Sequence, residues 1–215
     1  MRHSILAAVL MVLMIACCGC GKTLPDRTGF LSSYEGLTKR NNLSLGMATG
    51  AEGLGRYERF MVDEVELRLE NTRGLPEGEG ERLAAYLRDQ VVKELGEDYT
   101  IVTGAGQGVA RVRMALTQIT RSTMIMNLHP GMKITGAGLG GAAIEAEIVD
   151  SLTGVRVWAL VESRKGNQME LDAFDPYDDA EDAAEMWAAL MRLAVDKARN
   201  EARATLEAQA GYQTP

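Results

Sequence analysis

All three cysteines of this 215-residue chain lie within its first twenty residues, MRHSILAAVLMVLMIACCGC. No cysteine follows Cys20, so a domain built from the rest of the chain has no disulfide bond available and must be held together by packing. About 195 residues remain after this stretch, which is enough for one ordinary domain with a hydrophobic core. The body is therefore expected to be a packed domain that needs no covalent cross-link.

The beginning of the chain has the layout of a secretory signal. Arg2 precedes an unbroken apolar run at 5–16, which is shorter than the roughly 20 residues that a membrane-spanning helix needs. The cysteine that ends this run follows Met-Ile-Ala, which resembles the lipobox cut by bacterial lipoprotein signal peptidase. Cys17 is thus the expected lipidated residue, with Cys20, after Cys-Cys-Gly, as the alternative. Cys18 fits least well, because Cys17 would stand directly before the cut.

These features predict an organisation in four parts. We expect a signal peptide at 1–16, a lipidated cysteine and tether at 17–28, one domain at 29–208 and a frayed C-terminus at 209–215. The anchor would consist of acyl chains such as palmitate, since several buried acyl chains hold a protein on a membrane without a basic patch. No acid stands at the second position after a candidate cysteine, which favours an outer membrane location facing the periplasm.

The charge of the chain excludes one class of partner. Removing Arg2 with the signal leaves 22 basic and 30 acidic residues, a net charge of −8, and no Lys/Arg cluster reverses this balance locally. An acidic surface repels phosphate, so nucleic acid is not an expected partner. The expected partners are the membrane, through the lipid anchor, and a protein of the cell envelope.

Hydrophobic periodicity predicts the secondary structure of the body. Alternation places Met61, Val65, Leu67 and Leu69 on one face of a first strand. In a later strand it places Glu145 and Glu147 on the face opposite Ile144, Ala146 and Ile148. The turn at 150–154 joins two strands in a hairpin. The expected strands are 57–69, 99–102, 109–119, 142–149 and 155–164, and the expected amphipathic helices are 79–95 and 178–208. The fold class is α+β: a single domain with an antiparallel or mixed sheet of about five strands and two long helices on one face, in the order β-α-β-β-β-β-α.

Two segments outside the predicted helices and strands are rich in apolar residues and are candidate partner-binding sites. The first is GFLSSYEGL at 29–37, which we call the clasp; Phe30 and Tyr34 either dock on the domain, which is favoured, or bind a partner. The second is the Gly- and Met-rich segment 120–141, which either folds onto the domain or offers a flexible contact surface to a partner or lipid. Its candidate contact residues are Met124, Ile125, Met126, Leu128 and Met132.

The order of the motifs resembles a bacterial lipoprotein family, the domain of unknown function 3313. The similarity is carried by Gly29, Phe30, Leu31, Tyr34 and Leu37 of the clasp, by Val62-Asp63-Glu64-Val65, and by Glu145-Ala146-Glu147-Ile148-Val149-Asp150-Ser151-Leu152-Thr153-Gly154. It covers about positions 29–205. In this family proline often occupies the position of Glu64. The resemblance implies an envelope lipoprotein with an α/β domain and assigns it no chemistry and no catalytic residues.

The residues of the body do not form a recognisable catalytic or metal-binding pattern. His129 is the only histidine after His3, and a single histidine without cysteine excludes the usual zinc sets and disfavours a Ser-His-Asp triad. The acids at 170–182 lack EF-hand spacing. Trp158 and Trp187 are expected in the core, with a ligand platform as the alternative for Trp158. We expect no enzymatic activity, metal or cofactor.

Two functions remain open at this point. The first is a non-enzymatic accessory or scaffold subunit of an envelope assembly, held at the membrane by its lipid anchor. The alternative is a binding module that captures a small apolar or lipid-like ligand between the helices and the sheet.

Overall fold

A mixed β-sheet forms the centre of the protein. The computed structural model describes residues 27–41, 43, 45–121, 140–165 and 177–211. Eight strands lie in these ranges: β1 (Thr38–Lys39), β2 (Leu45–Ala48), β3 (Arg59–Val62), β4 (Glu66–Leu67), β5 (Thr100–Ile101), β6 (Val109–Thr120), β7 (Gly141–Asp150) and β8 (Arg156–Lys165).

Two long helices and a short 3₁₀ helix accompany the sheet. Helix α1 spans Glu79–Gly96, helix α2 spans Asp178–Gly211, and the 3₁₀ helix spans Glu52–Arg56. Acids stand in the first turn of both long helices, where the helix dipole favours negative charge. The predicted start of α1 at Glu79 and its end near Gly96 are confirmed, and α2 extends to Gly211, beyond the expected end at Ala208.

The strand order is β1-β2-β8-β7-β6-β3-β5, with β4 paired to β6 beyond the end of β3. Strands β3, β4, β5 and β6 pair in parallel, whereas β1, β2, β8, β7 and β6 pair antiparallel along the order. The α+β class, the mixed sheet, the two helices and the hairpin of β7 and β8 are confirmed. The expected five strands are wrong, because β1, β2 and β4 are too short to show a periodic pattern.

The single strand expected at 57–69 is two strands. Residues 63–65 leave the sheet between β3 and β4, and this break contains Glu64, the position at which the family often has proline. The break changes the phase of the alternation: Phe60 and Val62 lie in the core before it, whereas Val65 and Leu69 pack against the core after it. Leu67 between them remains 36% exposed. The prediction of one continuous strand at 57–69 therefore placed Met61 on the wrong face of the sheet.

The main core lies between the sheet and the helices. Alternate residues of β6, β7 and β8 face α1 and α2, and Trp158 and Trp187 both belong to this core, as predicted. Glu162 is also on this face, and its buried carboxyl accepts a hydrogen bond of 2.9 Å from the Trp187 indole nitrogen. The strand residues of this core include Val112, Met114, Leu116, Ile144, Ala146, Ile148, Trp158 and Leu160.

Close backbone contact attaches the 3₁₀ helix to α2. A Cβ at Gly55 would lie 2.5 Å from the Ala198 carbonyl oxygen, so only glycine permits this approach. Among the residues that the structure describes, no helix combines the length and the apolar character needed to cross a membrane.

Candidate functional site

The face of the sheet turned away from the helices holds two buried acids. Glu145 and Glu147 lie on β7 between β6 and β8, and both are 0% exposed. They lie opposite Ile144, Ala146 and Ile148, as the alternation predicts, and the clasp covers their face of the sheet. Two carboxyl groups at the centre of a sheet therefore need hydrogen-bond partners from within the protein.

Apolar side chains of the clasp seal this face. Phe30 and Leu31 are each 5% exposed, so the favoured prediction that the clasp docks on the domain is confirmed. The guanidinium groups of Arg113 and Arg68 lie 5.0 and 5.7 Å from the centre of the Phe30 ring, within the range of cation–π attraction. The sheet residues in this second core cluster are Ala115, Ala159 and Val161.

Glu145 binds Thr28, which directly precedes the clasp, and Tyr34 within it. The Thr28 backbone N–H donates to Glu145 Oε1 at 2.7 Å, and the Tyr34 hydroxyl donates to Oε2 at 2.6 Å. The same hydroxyl accepts a hydrogen bond of 2.8 Å from the Gly29 N–H. Burial, followed by the hydrogen bond to Glu145, raises the pKa of Tyr34, so this hydroxyl keeps its proton and remains a donor.

Glu147 binds the middle of the clasp. Its Oε2 accepts hydrogen bonds from the Ser32 N–H at 2.9 Å and from the Ser32 hydroxyl at 2.7 Å. Its Oε1 lies 2.5 Å from a guanidinium nitrogen of Arg113 on the neighbouring strand. Arg156 then holds the end of the clasp by donating to the carbonyl oxygens of Ser33 and Glu35.

The hairpin turn after β7 is fixed by Asp150. Its Oδ1 accepts hydrogen bonds from the Thr153 N–H at 2.9 Å, the Thr153 hydroxyl at 3.0 Å and the Leu152 N–H at 3.2 Å. Its Oδ2 accepts one from the Tyr57 hydroxyl at 2.9 Å. The hydrogen bonds from Thr153 and then Tyr57 lower the pKa of Asp150 to about 2. The turn closes at Gly154, whose φ of 70° favours glycine.

The sequence-predicted site residues divide into two sets. Phe30 and Tyr34 lie together, but both are engaged within the protein, so Phe30 does not present its ring to a partner. The five candidates of the Met-rich segment, together with His129, Cys17 and Cys20, lie outside the described residues. The sequence did not indicate the pairing of Glu145 and Glu147 with the clasp, since these partners are 111–117 residues apart.

The acids at 170–182 are split in the same way. Asp178, Asp179 and Glu181 form the first turn of α2, and Asp179 accepts a hydrogen bond of 2.9 Å from the Gly140 N–H. Residues 170, 172 and 175 lie outside the described ranges. Within those ranges, no group of three or more His, Cys, Asp or Glu side chains is placed to hold a metal ion.

These contacts explain the family motifs in structural terms, and the family itself is shown by comparison. Residues 26–191 match the model of the family described as protein of unknown function DUF3313, and the chain belongs to this family. The motif from Glu145 to Gly154 contains the two acids that hold the clasp and the complete hairpin turn. No curated protein matches the chain.

Several solved structures are similar to this chain at low identity. The PelC dodecamer from Paraburkholderia phytofirmans is 14% identical, with a TM-score of 0.45, over 67% of this chain and 96% of that one. A protein of family DUF330 from Xanthomonas campestris is 11% identical, with a TM-score of 0.41, over 69% and 90%. A predicted lipoprotein from Caulobacter crescentus is 14% identical, with a TM-score of 0.33, over 67% and 91%.

The contribution of the Tyr34–Glu145 hydrogen bond to stability can be tested with a matched pair of substitutions. Tyr34→Phe removes a donor from a fully buried carboxyl group, so we expect the free energy of unfolding to fall by about 1–3 kcal/mol. Tyr86→Phe removes a hydroxyl that donates to Glu185 at an exposed site, and we expect a change within about 0.5 kcal/mol. Urea unfolding measures both, and equal losses would contradict the role given to Glu145.

The lowered pKa of Asp150 predicts a pH dependence of stability. The pKa is about 2 in the folded protein and 3.8 ordinarily, so the ionised carboxylate stabilises the fold above about pH 4, and this contribution is lost as the pH falls towards 2. The difference in unfolding free energy between the wild type and Asp150→Asn should therefore narrow from pH 4 to pH 2. Thermal unfolding from pH 4 to pH 2 measures this difference, and the substitution Asp89→Asn at an exposed position is the control. A difference between wild type and Asp150→Asn that stays constant with pH would contradict the lowered pKa of Asp150.

Proposed function

We propose that this chain is a lipid-anchored protein of the bacterial cell envelope that acts as a non-enzymatic accessory or scaffold subunit. The observation that carries the proposal is the short distance in sequence between the lipobox and the docked clasp. Only ten residues separate Cys17 from Thr28, whose N–H already binds the buried Glu145. A flexible tether of this length spans about 18 Å, which would hold the domain close to its membrane.

The direction of the clasp supports one orientation at the membrane. Thr28 lies at Glu145, Ser32 at Glu147, and Ser33 at Arg156, so the clasp runs along β7 towards the hairpin turn. The clasp therefore begins nearer to the opposite end of the sheet than it ends. Thr120, Gly141 and Lys165 pair side by side at that end, where the segments 121–140 and 166–176 begin. This end of the sheet is the one that we propose faces the membrane.

The described polar groups support a structural role more than catalysis. The carboxyl groups of Glu145 and Glu147 are occupied by the clasp and by Arg113, and Asp150 is occupied by its turn and Tyr57. A general acid or base needs a group free to reach a substrate proton. A scaffold needs a fixed body and an accessible contact surface instead.

The Met-rich segment is the contact surface that we propose. Phe30 and Tyr34 are engaged within the protein, which leaves the candidates of the segment 120–141 as the predicted contact residues. Methionine adapts to partners of different shape, and the segment begins and ends at the membrane-facing end of the sheet. The proposed partner is a protein of the same envelope membrane.

Acylation of the native protein tests the anchor. In cells fed an alkyne-labelled fatty acid, Cys17→Ser should abolish labelling and release the protein from the membrane fraction, whereas Cys20→Ser should leave both unchanged. The reverse pattern would assign the anchor to Cys20. Absence of label from the wild type, or a labelled Cys17/Cys18/Cys20 triple variant, would contradict a lipidated cysteine.

Crosslinking in the native envelope tests the scaffold role. After mild crosslinking and affinity purification, the wild type should retain partners that are lost when residues 122–139 are replaced by a polar linker of equal length. Replacement of residues 167–176 at the same end of the sheet is the matched control and should retain them. Recovery of all three proteins without a partner, each still acylated and folded, would contradict the scaffold role.

A further inference from the structure

A cleft opens between the last helix and the edge of the sheet, on the side opposite the clasp. Its volume is about 240 Å³, and its described lining comes from β2 and the residues on both sides of it, from β8 and from the middle of α2. This is slightly smaller than the roughly 300–1,000 Å³ of sites that hold drug-sized ligands, so it suits a small ligand or one short chain. None of the described residues that line the cleft belongs to the clasp.

The interior of the cleft is apolar. Trp158 and Leu160 line it from β8, and Leu190 and Ala194 line it from α2. Leu193 stands in the same lining, and its side chain is 59% exposed. A hydrocarbon chain in the cleft would remove this apolar surface from water, and the hydrophobic effect favours that burial.

The charged residues that the structure describes in the lining have no net charge. Arg40 and Lys197 contribute two positive charges, and Glu52 and Glu201 contribute two negative charges. Lys197 Nζ lies 3.9 Å from Glu201, and the Lys197 side chain is 72% exposed, so its ammonium group is accessible to a ligand. A head group with one sign of charge would meet like charges in this lining, whereas one that carries both signs can pair with each.

We propose that this cleft binds a zwitterionic single-chain amphiphile, with its acyl chain against Trp158 and its head group among the charged residues of the lining. A head group with one positive and one negative charge can pair with both signs in the lining, which favours this class over fatty acids and cationic amphiphiles. The small volume of the cleft favours one acyl chain over two. The site is separate from the scaffold role and from the lipid anchor.

A photoreactive lysophosphatidylcholine with a diazirine in its acyl chain tests this site in the full-length, membrane-bound protein. Mass spectrometry of the crosslinked protein should place the label on the residues that line the cleft. Decylphosphocholine should compete at a concentration at least tenfold lower than decanoate or decyltrimethylammonium, which have the same tail length. Labelling elsewhere, no labelling, or better competition by a singly charged amphiphile would overturn the proposal.

Substitutions in the cleft provide the matched controls. Ala194→Phe fills the cleft and should reduce labelling at least tenfold, whereas Ala189→Phe, on the exposed side of the same helix, should not. Leu193→Glu adds a negative charge at an exposed position that does not depend on core packing, and it should also weaken labelling. Unchanged labelling in Leu193→Glu and in a folded Ala194→Phe would overturn the site, and acylation of the cysteines is unaffected by either outcome.

Discussion

The burial of Glu145 and Glu147 is the constraint on which the outer half of this structure depends. Carboxyl groups that lose all contact with water must recover hydrogen bonds within the protein, or the fold loses several kcal/mol. Arg113 supplies one partner from the neighbouring strand, and Thr28, Ser32 and Tyr34 supply the others from the beginning of the chain. The central strand is therefore complete only when the N-terminal segment has docked.

This requirement gives the two faces of the sheet different roles. The inner face packs against α1 and α2 through aliphatic and aromatic side chains, which provide most of the buried apolar surface. The outer face joins a small apolar cluster around Phe30 to a set of directional hydrogen bonds. Such hydrogen bonds specify one position for the clasp. Because the proposed tether precedes Thr28, they would also fix the point at which the proposed lipid anchor joins the domain.

Local patterns in the sequence account for much of the fold. The helical spacing of Leu83, Leu87 and Val91 and the alternation in β6, β7 and β8 are long enough to predict their elements. Short strands such as β1 and β4 carry no such pattern, and the break at Glu64 shifted the phase of the first strand. The candidate site was the least predictable part, because alternating glutamates are typical of a solvated face. Only the distant partners of Glu145 and Glu147 reveal that they are buried.

Amide hydrogen exchange at Thr28 and Ser32 tests most directly whether the clasp is a fixed part of the fold, because both backbone N–H groups donate to the buried carboxyl groups. Exchange of amides held in a stable core requires unfolding of the whole domain, whereas amides on a loosely attached segment exchange through local opening. If Glu145 and Glu147 hold the clasp in place, both amides should exchange as slowly as those in the centre of β7. Exchange as fast as in the exposed turn at 71–74 would contradict it, since the clasp would then be a mobile extension and not a part of the fold.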